Sequence, residues 1–261
     1  MMNSKYIVFI MSLLLFGLSS CNNGTEKKNE TSANDSLTAS NESLNKLSGF
    51  FKKELALPLV IDSAFLAKGH FGDSLGTNEV KLLTAGSFIQ DANGGMDYEL
   101  KEFYKIDSVK ATGTYSKWCE KLDIGMTKYS NAYSIGKINI NGALFLIWAF
   151  SQSSYEACPW SSGTSIFMTK VRAKTIGQSF LLGEVYGAGD APVSMHRETF
   201  GKLDPDGKLF QATEEGNDDA DATESELTIS DAEYKIKDGE IQVVKQNKGQ
   251  MIKVPHPPAS E

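Results

Sequence analysis

Four places in this chain hold residue types that could do chemistry. Gly183 to Glu198 (GEVYGAGDAPVSMHRE) sets Asp190, His196 and Arg197 close together among glycines. A phosphate cradle would need those glycines to open a helix, whereas Ala191-Pro192 and the alternation after it predict another strand. Together with CPWSSGT and its Trp160, this stretch predicts ligand-face loops carrying Trp160, Asp190 and His196. The second stretch is acidic, EEGNDDADATESE at 214–226. Hard cations want clustered oxygens, but an EF-hand needs glycine sixth and glutamate twelfth. Counted from Asn217 those places hold Ala222 and Thr228, so the run predicts a solvated loop and no metal. The third is Cys119 with Cys158. In an exported chain two such cysteines pair more often than they stay reduced, and the bridge would contribute roughly 4 kcal/mol through loop closure. A metal site or a nucleophilic thiol would need further ligands or a histidine nearby in sequence, and neither cysteine has one.

Gly72-Asp73-Ser74-Leu75 spells GDSL and resembles the signature of the GDSL hydrolases, in which the serine is the nucleophile. That resemblance implies a serine hydrolase using Ser74. Such a serine needs a base oriented by a carboxylate, which the family supplies from a late Asp-x-x-His. None of His70, His196 and His256 has an aspartate three residues before it. No apolar strand leads into GDSL, and GNDD at 216–219 is one residue short of the family's Gly-x-Asn-Asp block. Asp73-Ser74 otherwise predicts an ordinary turn.

The elements that would position these residues are strands. AYSIGKINI and ALFLIWAF flank Asn141-Gly142, which tolerate the positive φ of a type I′ turn and so predict a hairpin over 132–150. The second arm is apolar without interruption, as in a central strand covered on both faces. GTSIFMTKVRA, QSFLLGEVY and KLFQA after the turn DPDG continue the pattern. AEYKIK and EIQVVKQ around Asp238-Gly239 make a second, half-buried hairpin. Five to nine short strands joined by tight turns predict a mainly β chain, an antiparallel meander closed as a barrel or stacked as a sandwich. One or two short helices are expected near the domain's start, at 46–55 (KLSGFFKKEL) and around Trp118.

The chain begins with Lys5 and an apolar run, Tyr6 to Leu18, followed by Ser19 and Ser20. This is the three-part pattern of a secretory signal over 1–20. The run is too short for a span of roughly 20 residues. Leu18-Ser19-Ser20-Cys21 resembles the lipobox of bacterial lipoproteins, which implies cleavage before a lipidated Cys21 and stable anchoring by two or more acyl chains. Asn22 after the cysteine resembles lipoproteins sorted to the outer membrane. Residues 21–45 then read as the lipidated cysteine and a flexible tether, poor in apolar residues. Residues 46–254 read as one β-rich domain and 255–261 as a disordered, proline-rich tail.

A net charge of −7 among 261 residues, with the lysines scattered among acids, argues against nucleic-acid binding. With SYEACPWSSGTSIF and LLGEVYGAGDAPVS in the β-rich part, the layout resembles uncharacterised cell-envelope lipoproteins of Gram-negative bacteria: a lipobox, a polar tether and one β-rich domain. The resemblance implies no catalytic residues and no cofactor. The expected function is a non-enzymatic binding module, membrane-bound through its lipid, for an unknown protein or small-molecule partner. The alternatives are a serine hydrolase at Ser74 and a structural envelope component.

Overall fold

The computed structural model describes residues 41–68, 71–84, 88–89, 127–155, 160–172 and 175–256. Cys21, Cys119, Cys158, Trp118 and His70 lie outside them, as do the signal, the lipidation site and the proposed disulfide. The described residues belong to one compact unit, Ser36–Glu261.

Asn141 and Gly142 take φ of 53° and 79° and turn β4 (Thr127–Ile140) into β5 (Ala143–Tyr155). Asp238 and Gly239, at 52° and 74°, do the same between β10 (Glu224–Lys237) and β11 (Glu240–Asn247). Both are the dipeptides that a type I′ turn selects, because only residues tolerant of positive φ match the twist of the flanking strands. Between these hairpins run β6 (Trp160–Arg172), β7 (Thr175–Asp190), β8 (Val193–Leu203) and β9 (Lys208–Asp219). A further strand, β12 (Met251–Pro255), pairs with β10 beside β11. The early part supplies α1 (Asn41–Phe50), β1 (Leu59–Ile61), α2 (Ser63–Leu66), β2 (Ser74–Leu75), α3 (Thr77–Leu83) and β3 (Phe88–Ile89).

Strand order is β11-β10-β9-β8-β7-β6-β5-β4-β2, an antiparallel meander in which sequence neighbours are sheet neighbours from β4 to β11, while the early β1 pairs with β8 and β2 with β4. Among the described strands β3 pairs in parallel, on β7, and a single parallel bridge joins Glu54 to Lys137 of β4. The meander is therefore as expected, and it forms one open sheet among the described residues. The sheet coils strongly: Ile138 and Ile140 of β4 share a core with Leu209 of β9 and with Tyr234 and Ile236 of β10. No strand pairing closes it into a barrel among the described residues; Asn141 Nδ2, in the β4–β5 turn, donates to the Ile236 carbonyl of β10 at 3.1 Å, and Tyr234 meets Phe180 of β7 edge-on at 4.8 Å between centroids.

The uninterrupted apolar run of β5 is explained by its two covers. Phe145, Ile147 and Ala149 enter this coiled core. Leu146, Trp148 and Phe150 point the other way, against Leu44, Leu47 and Phe51 from α1 and its end and against Val80 and Leu83 of α3. Leu44, Leu47 and Phe51 follow helical spacing, so they form one apolar stripe. That stripe starts the helix at Asn41, earlier than the tether boundary at 45, because burying Leu44 contributes roughly 1.5–3 kcal/mol. At the other end Pro255 pairs with Glu224 and the His256 amide donates to the Thr223 carbonyl, so the strand runs into what composition assigned to the tail.

The strands are also longer than expected, 13 or 14 residues for β4, β5, β6 and β10 and 16 for β7. Their polar ends, which the sequence predicts as loops, are extended. GEVYGAGD lies in β7, the WSSGT of CPWSSGT in β6 and EEGNDD in β9. Trp160, Asp190 and His196 accordingly sit on strands rather than loops, since ladder hydrogen bonds hold a polar segment extended wherever both neighbours supply partners.

Lys46 of α1 reaches Glu79 of α3 at 3.0 Å. This hydrogen bond holds the Glu79 carboxyl below its ordinary value of 4.5, against the opposing effect of burial. A lowered folded-state pKa gives stability that is present above the unfolded value and lost as pH falls through the folded one. Because Lys46 is largely exposed, the amount is under about 1 kcal/mol. Replacing Glu79 by Gln is expected to lower the urea midpoint slightly at neutral pH and to flatten its fall as pH drops below the ordinary carboxyl value of 4.5.

Candidate functional site

A groove of about 850 Å³ opens on the face of β4 to β8 that carries Val185 and His196. Its floor follows from strand alternation. In β6, Trp160, Ser162 and Thr164 share a face with the core residues Ile166 and Met168. Their partners across the ladders are Gly189, Gly187 and Val185 on β7, then His196 opposite Gly187 and Glu198 opposite Val185 on β8. On the other side Thr164 and Ser162 face Ser151 and Ser153 of β5, and Ser151 faces Asn131 of β4. Ser151 and Thr164 hydroxyls lie 2.9 Å apart.

One wall is α2, through Ser63, Leu66 and Ala67. Asp62 caps this short helix by accepting from the Phe65 amide at 2.8 Å, satisfying a donor that the first turn leaves open. Its position is set by β1, which pairs with the end of β8. Gly183 makes this crossing possible: a Cβ there would strike Ile61 of β1.

Two rings lie on glycines. The Trp160 ring covers Gly187 and Gly189, where any Cβ would meet its atoms at 2.7–3.2 Å. The His196 imidazole lies over Gly216 of β9 in the same way. Glycine leaves a flat bed on which a neighbouring ring can rest and keep its other face free. Trp160 remains 38% exposed, the only tryptophan among the described residues with an open face, since Trp148 is fully buried.

The imidazole is flanked by carboxylates, Glu214 at 3.8 Å from Nε2 and Asp218 at 3.9 Å from Nδ1. Glu198 lines the groove itself, whereas Glu214 and Asp218 border it only through His196. Arg197 turns to the opposite face, where Nε meets Glu184 at 2.6 Å. No lysine or arginine lines the groove among the described residues.

The structure thus brings Trp160 and His196 together, straddling Gly187. Asp190 is exposed beside the β7–β8 turn and lies outside the lining. Ser74 is exposed in β2, paired with Tyr133, and among the described residues its side chain is hydrogen-bonded to no histidine or carboxylate. A different serine has a histidine partner: Ser225 Oγ of β10 lies 2.7 Å from Nε2 of His256, which follows β12. The polar floor of four hydroxyls and one amide (Ser151, Ser153, Ser162, Thr164 and Asn131) is not marked by any motif in the sequence. Its signal is the polar i, i+2 repeat of WSSGT and SQSS next to apolar strand cores. Comparison with protein families, with curated proteins and with solved structures finds no match to this chain.

Proposed function

We propose that this is a lipid-anchored protein of the bacterial envelope, similar in layout to outer-membrane lipoproteins, whose β-rich domain binds a partner or ligand in the groove between α2 and strands β4 to β8. The anchor is supported by Leu18-Ser19-Ser20-Cys21 after an apolar run. The binding role is carried by one observation, the open Trp160 face seated on Gly187 and Gly189 at the groove floor. An apolar ring kept in water costs free energy that a ligand recovers on covering it. The shaped cavity beside it is the usual form of a small-ligand site.

Metabolic labelling with a fatty-acid analogue tests the anchor: label is expected on the native chain and lost in Cys21→Ser, and retained label overturns it. A photo-crosslinking residue tests the groove in intact cells. At Ser162, on the floor, it is expected to capture a defined adduct that the same residue at Val244 of β11, 62% exposed, does not. Absence of an adduct from Ser162 and from Thr164 would favour a structural envelope component.

A further inference from the structure

The groove differs from a site for an apolar ligand in what covers its floor. Asn131, Ser151, Ser153, Ser162 and Thr164 present hydroxyls and an amide from three adjacent strands. Covering such groups with hydrocarbon would leave donors and acceptors unpaired, at roughly 1–3 kcal/mol each, so a lipid tail is disfavoured. A peptide adding to a sheet binds at a strand edge through main-chain groups. Here the floor is a sheet face whose main chain is already paired.

A sugar ring matches this mixed surface in kind. Its axial C–H bonds form an apolar face, and its equatorial hydroxyls both donate and accept. Tryptophan offers an apolar face of matching size, and serine and threonine hydroxyls rotate to serve as donor or acceptor. The glycine bed fixes the Trp160 ring before binding, which cuts the ordering cost of recognition. Charge narrows the class further. Glu198 lines the groove, Glu214 and Asp218 flank His196, and the lining holds no lysine or arginine among the described residues. Uronates, sulfated sugars and phosphorylated sugars would meet like charge there. From β4 to β8 the floor spans four strand spacings, roughly 19 Å, so it takes several rings rather than one.

We infer that the groove binds a neutral oligosaccharide, with one ring stacked on Trp160 and its neighbours hydrogen-bonded along Asn131, Ser151, Ser153, Ser162 and Thr164. This rests on the groove being the ligand site, as proposed above. The test uses the full-length protein in a sugar-free detergent, titrated calorimetrically with cellotetraose, chitotetraose and maltotetraose and with tetragalacturonate as the anionic probe. At least one neutral tetrasaccharide is expected to bind saturably and to outcompete tetragalacturonate. Trp160→Ala should weaken it about tenfold or more, while Trp160→Tyr, which keeps a stacking face, retains most of the affinity; circular dichroism confirms that both variants fold. Equal binding by Trp160→Ala, or preference for tetragalacturonate, overturns the inference. If no tetrasaccharide binds but the crosslinker at Ser162 captures a protein or lipid, the sugar class falls and the binding role stands. If neither occurs, both fall.

Discussion

Trp148→Ala is expected to lower the unfolding free energy by about 3–5 kcal/mol, read as a lower urea midpoint at unchanged slope. Trp148 is fully buried on β5 and stacks on Phe167 of β6 at 4.7 Å between centroids. Its loss leaves a cavity between the sheet and the helices α1 and α3, and closing it would require both to move. It also begins a polar chain through the core. Trp148 Nε1 donates to Thr169 Oγ1 at 2.9 Å, Thr169 and Ser179 hydroxyls lie 2.8 Å apart, and Ser179 Oγ donates to the Leu83 carbonyl at 3.1 Å. The chain ties β5, β6 and β7 to the end of α3. Trp148→Phe separates the two contributions: it keeps most of the buried ring and loses the first hydrogen bond, so about 1 kcal/mol beyond the volume change is expected. A cost for Trp148→Ala below about 1 kcal/mol would show that this layer is not packed as described.

Arg197→Met is the second large effect, about 3–5 kcal/mol, because it strands a carboxylate in the interior. Glu184 is fully buried on β7 and Arg197 nearly so on β8; their contact is 2.6 Å, and Ser165 Oγ lies 3.5 Å from the same carboxylate. The Arg197 guanidinium also sits 5.6 Å from the centre of the Tyr186 ring. Removing both charges together, as Glu184→Leu with Arg197→Met, is expected to recover most of the loss, since an apolar pair of similar volume fills the site without desolvated charge. The cycle is measured by urea unfolding of the two single variants and the double. Equal loss in the single and the double would mean that packing, rather than charge, carries the effect. The pair matters to the groove as well. Glu184 and Val185 are consecutive on β7, as are His196 and Arg197 on β8, so the ion pair on one face holds the ladder that places Val185, Gly187, His196 and Glu198 on the other. A one-residue slip would exchange the two sets.

Legibility in the sequence followed the strength of local chemistry. Asn141-Gly142 and Asp238-Gly239 were readable as turns, and both adopt the positive φ expected of them. The apolar arm Ala143 to Phe150 was readable as a strand covered on both faces, and its side chains divide between two core layers. Polar strand ends were not readable. SQSSY, WSSGT and EEGNDD carry no apolar alternation, and what extends them is the hydrogen-bonding ladder of their neighbours. Leu44 and Pro255 were misplaced for a related reason: each sits in polar sequence, and each is ordered by a distant partner, the sheet face for Leu44 and Glu224 for Pro255.

Composition and local pattern alone therefore determined the antiparallel meander, its tight turns, its central strand and the early position of its helices. These depend on backbone φ, side-chain periodicity and residues near one another in the chain. Trp160 and His196 could be singled out in the sequence as an aromatic and a titratable residue near glycines. Only the tertiary structure decided that they share one floor. Their meeting depends on the register of β6, β7 and β8, on Gly187, Gly189 and Gly216 lying under their rings, and on β1 carrying α2 to the groove's edge. Register is a property of pairs of strands, set by bulges, buried ion pairs and core packing that no single segment contains.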